Sequence, residues 1–150
     1  MLPVSELIPV LQVAIGPVIL VSGVGLLLLT MTNRLGRVVD RSRLLGQELR
    51  STPPDRGQAL RAQLEILSGR ARLLQRAIIL ASVSVLLAAI LIIVIFVTAL
   101  LGLDDAWLIG ALFTASMAAL IGSLIAFLMD LNQSLAALKL ELNSTDQDVA

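Results

Sequence analysis

Three long apolar stretches dominate the pattern of hydrophobic and polar positions along the chain. They cover residues 8–31, 77–101 and 107–129, and none of them contains a charged side chain. About 20 consecutive apolar residues are enough for an α-helix to cross the hydrocarbon core of a bilayer. The pattern therefore predicts an all-α integral membrane protein with three transmembrane helices.

A more polar segment, residues 33–76, separates the first two predicted spans and has a periodicity of its own. Mostly apolar residues recur there in steps of three and four, as they do in the seams of coiled coils. The two seams are Leu35, Val38, Ser42, Leu45 and Leu49, followed by Leu60, Leu64, Leu67, Ala71, Leu74 and Ile78. Pro53 and Pro54 lie between the seams, and proline stops a helix. The segment is therefore predicted to form a helical hairpin that turns at residues 51–55.

The third span is predicted to continue beyond its apolar stretch as a short amphipathic helix. Four leucines repeat there in steps of four and three: Leu131, Leu135, Leu138 and Leu142. This spacing predicts a helix over residues 130–143. The polar residues 144–150 are predicted to form a disordered tail. Residues 102–106 are predicted to connect the second and third spans.

The arginines are distributed very unevenly. All ten lie between Arg34 and Arg76, whereas the short connector between the second and third spans carries two aspartates. Segments rich in Lys and Arg beside membrane spans remain in the cytoplasm. We therefore expect the hairpin and the C-terminus to be cytoplasmic, and the N-terminus to be outside. Trp107, at the outer start of the third span, is then expected to be an interfacial anchor.

One face of the first helix carries most of its distinctive residues. Nine side chains lie within about 40° of a common direction when the helix advances 100° per residue. This first-helix stripe consists of Gln12, Gly16, Ile19, Gly23, Leu26, Thr30, Arg34, Arg37 and Arg41. Pro17 lies beside it and predicts a kink. The stripe fits two interpretations: a helix–helix interface, or a face that lines the axis of an oligomeric pore.

The other two spans each carry a stripe of small residues. In the third span these residues are Ala111, Ala115, Ala119, Gly122 and Ala126, and in the second they are Ala77, Ala81, Ser84 and Ala88. Small residues let transmembrane helices approach closely. Because three helices offer few internal interfaces, some of these faces are predicted to meet other subunits in a homo-oligomer. The alternative is that both faces are used within one subunit.

The composition removes much chemistry from consideration. The chain contains no Cys and no His, and no carboxylate lies inside a predicted span. Thiol chemistry, imidazole chemistry, thiolate metal sites and histidine, the commonest metal ligand, are thereby excluded, and we expect no enzyme, no metal and no cofactor. Asp130 is expected to be an interfacial residue or one that pairs with N–H groups, and Asp40 an ion-pair partner of the surrounding arginines. The hairpin has no aromatic residues to stack on bases, so nucleic acid is not an expected partner.

Several segments are similar to those of a known family. They are NRLGRVVDRSRLL after the first span, RARLLQRAIIL at the start of the second, and the opening IPVLQVAIGPVILVSGVGLLLL. The residues that carry the resemblance are Asn33, Arg34, Arg37, Asp40, Arg41, Arg43, Arg70, Arg72, Leu73 and Arg76. On these residues the chain resembles, over residues 5–140, an uncharacterised bacterial family of small three-span membrane proteins. This is the domain-of-unknown-function family numbered twenty-seven twenty-one. The resemblance implies the topology and no activity, and with the arginine bias it predicts the bacterial cytoplasmic (inner) membrane.

Two classes of function fit these features. One is a homo-oligomeric, channel-like protein whose pore is lined by the first helix, with arginine rings at its cytoplasmic mouth. The other is a structural or regulatory scaffold whose arginine-rich hairpin binds anionic lipid headgroups or a cytoplasmic partner. Intramembrane Asp, Glu, His or Lys residues typical of proton-coupled transport are absent, which disfavours that class.

Overall fold

A computed structural model describes residues 4–53, 57–102 and 106–148 of the chain. The side chains of residues 4–7, 10 and 135–148 are not part of this description. The described residues form three helices: α1 (Val4–Ser51), α2 (Gly57–Leu101) and α3 (Ala106–Asp148). Each helix is long and apolar enough to cross a membrane, and no strand occurs in the described ranges. The predicted all-α fold with three spanning helices is confirmed.

The two ends of the hairpin lie on either side of the predicted turn. α1 continues from its apolar stretch to Ser51 and stops just before Pro53. The hydroxyl groups of Ser51 and Thr52 both donate to the carbonyl oxygen of Glu48, at 2.9 and 2.7 Å. They thereby supply hydrogen bonds to one of the carbonyl groups in the last turn of the helix. α2 begins at Gly57, and residues 54–56 lie outside the described residues. α1 passes through Pro17 without interruption, and the kink there stays a prediction.

α2 is the middle helix of the bundle, because it packs against both α1 and α3. Its buried positions follow a heptad pattern with steps of three and four. Beyond Gly57 at the start of the helix, they are Leu74, Ala77, Ala81, Ser84, Ala88, Leu91, Ile95 and Thr98. α1 contributes four buried residues at steps of seven: Val24, Met31, Val38 and Leu45. The seam predicted for the hairpin therefore extends, as one continuous apolar core, into the apolar stretches of both helices.

The contact between α2 and α3 is polar at regular intervals. Ser84 and Ser116 each donate to the other's carbonyl oxygen, at 2.8 and 3.0 Å, and the Ser123 hydroxyl donates to the carbonyl of Ala77 at 2.7 Å. Seven residues before Ala77 on α2 lies Arg70, and seven residues after Ser123 on α3 lies Asp130; these two side chains form a salt bridge. Bonds of this kind contribute only about 0.6 kcal/mol each within a membrane. Their main effect is to fix the register of the two antiparallel helices.

The small-residue stripes have different places in the bundle. All four small residues of the second-span stripe are buried, so that face is used within the subunit, whereas the contact of small-residue faces with other subunits stays a prediction. In the third-span stripe Ala111 and Ala115 are exposed, whereas Ala119, Gly122 and Ala126 are half-buried. The buried face of α3 instead follows Ser116, Ser123 and Asp130.

The C-terminal part of α3 is longer than its leucine pattern predicted. The helix continues to Asp148, which includes most of the residues 144–150 that were predicted to be a disordered tail. That prediction is wrong because neither glycine nor proline follows Gly122, so nothing in the sequence stops the helix. Leu131 is half-buried, and the side chains of Leu135, Leu138 and Leu142 lie outside the described residues.

Candidate functional site

A carboxylate with two arginine partners lies where the apolar part of the bundle ends. Asp130 of α3 is fully buried, with 0% of its side chain exposed. Arg34 of α1 donates from Nη2 to Asp130 Oδ2 at 3.1 Å, and Arg70 of α2 donates from Nε to Asp130 Oδ1 at 3.3 Å. All three helices therefore meet at this one carboxylate. We call Asp130, Arg34, Arg70 and Ser134 the Asp130 cluster.

Ser134 completes the cluster from one turn further along α3. Its hydroxyl oxygen accepts from Arg34 Nη2 at 3.2 Å and from Arg70 Nη2, and it donates to the Asp130 carbonyl at 3.0 Å. The Arg34 guanidinium also lies over the ring of Phe127, 5.6 Å from its centroid. Such a contact adds a modest cation–π attraction. The cluster is thus held by several directional interactions at once.

Burial of the carboxylate depends on these partners. An unpaired charge in a low-dielectric interior is very costly, whereas a charge with hydrogen-bonded counter-ions is tolerated. The two arginine side chains remain 22% and 21% exposed, so their charges keep partial contact with the surroundings. One carboxylate neutralises only one of the two guanidinium charges. The cluster therefore retains net positive charge.

Two grooves open beside the cluster. The first, which we call the α1–α2 groove, has a volume of about 320 Å³ and is lined by Arg34, Arg37, Val38, Arg41, Leu67 and Arg70. The second, the α2–α3 groove, has a volume of about 380 Å³ and lies between the other pair of helices. Its lining residues are Ile66, Gly69, Arg70, Arg72, Leu73, Arg76, Met129 and Gln133. In both grooves arginines lie next to apolar side chains, and neither lining includes a carboxylate.

The first-helix stripe is exposed in the subunit, except for one member. Ile19 is 65% exposed and Leu26 is 70% exposed, and Gln12, Gly16, Gly23, Thr30, Arg37 and Arg41 are exposed as well. Arg34 is half-buried because it reaches Asp130. The Thr30 hydroxyl donates to the Leu26 carbonyl of its own helix at 3.1 Å. The stripe therefore does not act as a single surface, since its Arg34 end belongs to the Asp130 cluster.

Sequence reasoning placed the ion pairs incorrectly. Asp40 was expected to pair with the arginines around it, but among the described residues the salt bridges involve only Asp130. Asp40 is exposed and lies outside them. The roles of Arg70 and Ser134 were missed. A signal for them exists, because Ser116, Ser123 and Asp130 recur at steps of seven and mark a polar seam on α3.

The remaining candidate residues lie away from the cluster. Trp107 is 77% exposed at the start of α3. Pro17 is half-buried and lines a small apolar groove together with Ala88 and Phe113. The described residues contain no group of three or more His, Cys, Asp or Glu side chains that could hold a metal ion. The cluster and its two grooves are therefore the candidate functional site.

Comparison with known proteins identifies the family and leaves the activity open. The profile of a family described as "Protein of unknown function (DUF2721)" matches residues 14–140. No curated protein and no solved structure shows a significant match to the chain. The match covers the Asp130 cluster and the apolar stretches of all three helices, except residues 8–13 at the start of the first stretch. The chain belongs to the DUF2721 family of proteins of unknown function.

Proposed function

We propose that this protein is a homo-oligomeric scaffold of the bacterial cytoplasmic membrane that binds anionic phospholipid headgroups at its arginine-rich end. The observation that carries the proposal is the α2–α3 groove, where Arg72 and Arg76 lie beside Leu73 and Met129. Arginine binds phosphate strongly through paired hydrogen bonds, and its long stem packs on apolar surface. The groove thus offers arginines to the phosphate of a phospholipid and apolar side chains to its acyl chains.

The position of the groove along the helices supports a lipid ligand. Arg76 directly precedes the apolar stretch that begins at residue 77, and Met129 is the last residue of the stretch 107–129. The groove therefore lies at the boundary where the headgroup phosphates of a bilayer are found. The arginine bias favours the cytoplasmic side for this end, with the N-terminus outside and the C-terminus inside. Anionic lipids give the cytoplasmic leaflet its negative surface potential.

A double substitution in the groove tests the lipid proposal. Arg72→Gln with Arg76→Gln is expected to weaken binding of phosphatidylglycerol about thirtyfold, since each arginine near an anionic surface contributes about 1 kcal/mol. Native mass spectrometry of the detergent-purified protein, titrated with phosphatidylglycerol or phosphatidylcholine, measures the bound lipid directly.

The matched control removes the same charge elsewhere. Arg50→Gln with Arg61→Gln changes two exposed arginines of the hairpin that line neither groove. This pair is expected to leave lipid binding near the wild-type level. Equal losses for both pairs, or equal binding of the two lipids by the wild type, would show that the groove is not a headgroup site.

The exposed first-helix stripe supports self-association. Gln12 carries an amide within an apolar stretch, and amides in hydrocarbon bond across helix–helix contacts. Gly16 and Gly23 leave open space, because a Cβ added to either would meet no atom within 4 Å in the subunit. A second copy packed there could approach the backbone of α1 closely. Homo-oligomerisation through this face is therefore part of the proposal.

Substitution of Gly23 tests oligomer formation without changing the fold of the subunit. Gly23→Ile is expected to leave helicity unchanged while it shifts the protein from oligomer to monomer in light scattering after gel filtration. Gly25→Ile is the control, because Gly25 is also exposed and open but lies outside the stripe. An oligomer that survives Gly23→Ile, or a wild-type protein that is already monomeric, would exclude this interface.

A pore lined by the first helix is the second candidate function. It is favoured by the exposure of the polar residues Gln12, Thr30, Arg37 and Arg41 along one face of α1. Because Arg34 is bonded to Asp130, a ring at the pore mouth would consist of Arg37 and Arg41. Ion flux into proteoliposomes separates the candidates: a pore conducts and a scaffold does not. Flux that Gly23→Ile abolishes would favour the pore.

A further inference from the structure

We propose that the α1–α2 groove binds a small, soluble, multiply charged phosphate compound of the pyrophosphate class. This site goes beyond the proposed lipid function, because it lies between a different pair of helices and takes its ligand from water. Arg34, Arg37 and Arg41 line one wall, and Arg70 of α2 lines the other. Clusters of guanidinium groups are the usual protein site for phosphate, because each can donate two parallel hydrogen bonds to it.

The charges around the groove are unbalanced. Four arginines line it, and the carboxylate bonded to two of them, Asp130, carries a single negative charge. No carboxylate among the described side chains lies within salt-bridge distance of Arg37 or Arg41. Among the described side chains, three positive charges therefore remain uncompensated within this groove. An anion with two or more charges would relieve their mutual repulsion far better than chloride or acetate.

The position of the groove points to a ligand from water. Arg34 is the third residue after the apolar stretch that ends at residue 31. At 1.5 Å per residue, Arg37 and Arg41 lie roughly 5 and 10 Å further from that stretch. The groove thus extends beyond the boundary at which lipid phosphates lie. Val38 and Leu67 are the two apolar residues that line it, and they offer little apolar surface to an acyl chain.

The Asp130 cluster orients two of the four arginines for this task. Arg34 uses Nη2, and Arg70 uses Nε and Nη2, in their bonds to Asp130 and Ser134. A guanidinium has five N–H donors, so the Nη1 groups of both arginines stand outside these bonds. A guanidinium fixed by a carboxylate loses less rotamer freedom when it binds a ligand. Asp130 is therefore a positioning residue for the site.

The size of the groove limits the ligand. Ligand sites usually range from about 300 to 1,000 Å³, and the volume of the groove, about 320 Å³, is at the lower end of that range. The space fits a diphosphate or a small phosphate ester. No aromatic side chain lines the groove to stack on a base. A long polyanion such as a nucleic acid is therefore not the expected ligand.

Calorimetric titration of the full-length protein in a nonionic detergent with sodium pyrophosphate, at constant ionic strength, tests the proposal. We expect saturable binding, and an affinity about tenfold or more lower for Arg37→Gln with Arg41→Gln, because hydrogen bonds to charged groups are lost. Arg43→Gln with Arg50→Gln removes the same charge from α1 outside the groove and is expected to keep the wild-type affinity. Acetate is expected not to bind.

Three results would overturn the proposal. One is absence of saturable binding, and another is an equal loss for the two arginine pairs, which would indicate diffuse attraction only. The third is a protein that binds phosphatidic acid in nanodiscs through Arg37 and Arg41 but does not bind pyrophosphate. The ligand of the groove would then be a lipid. The lipid proposal for the α2–α3 groove depends on Arg72 and Arg76, so failure of either proposal leaves the other measurable.

Discussion

Replacement of Asp130 with alanine is expected to destabilise the folded bundle by about 3 kcal/mol or more. The substitution leaves Arg34 and Arg70 close together, half-buried and without their counter-ion. Loss of one partner from a buried ion pair is costly, because the remaining charges keep their desolvation penalty. Here the effect is expected to be larger than for a simple pair, since Asp130 is the carboxylate that, among the described residues of α3, pairs with an arginine of both α1 and α2.

Unfolding of the purified protein in mixed micelles with increasing sodium dodecyl sulfate, followed by circular dichroism, measures this loss. Asp40→Ala is the matched control, since Asp40 is an exposed carboxylate outside the salt bridges. It is expected to change stability by no more than about 0.5 kcal/mol. Joint replacement of Asp130 with leucine and of both arginines with methionine is expected to recover much of the lost stability. Similar unfolding curves for Asp130→Ala and Asp40→Ala would contradict the structural role of the cluster.

Replacement of Ala81 with leucine is expected to cost about 1–3 kcal/mol of stability, or more if α2 must move as a whole. Ala81 is completely buried on the face through which α2 packs, and its neighbours in the heptad pattern are also small. Close approach of the helices depends on these small side chains. A leucine at this position has no space unless the helices separate, and separation would also weaken the serine bonds between α2 and α3.

The same unfolding measurement applies, with Ala89→Leu as the control. Ala89 lies on the exposed side of α2, so a larger apolar side chain there faces lipid or detergent and is expected to be neutral within about 0.5 kcal/mol. If Ala81→Leu were as harmless as Ala89→Leu, the arrangement of α2 between its two neighbours would be wrong.

Much of the fold is predictable because it depends on local periodicity. The apolar stretches define the spans, and Val38 and Leu45, two residues of the predicted hairpin seam, are buried. The end of α1 at Ser51 follows from Pro53. The C-terminal end of α3 was less predictable, because residues after 143 are polar without being helix breakers. Polarity alone does not end a helix that nothing interrupts.

The candidate site depends on contacts that no local pattern contains. Asp130 lies about a hundred residues from Arg34 along the chain, and only the antiparallel register of three helices brings them together. The Arg34–Asp130 pair also removes Arg34 from the first-helix stripe, although the helical angle of Arg34 fits that stripe well. A helical-wheel projection gives the direction of a side chain from its own axis, and it contains no information about which neighbour the side chain reaches.

A structure by cryo-electron microscopy of the protein in nanodiscs that contain phosphatidylglycerol tests the central claim most directly. The account predicts several copies packed through the exposed stripe of α1, with density for a lipid phosphate beside Arg72 and Arg76 in each α2–α3 groove. A single copy whose α1 stripe faces lipid, with empty α2–α3 grooves, would contradict it.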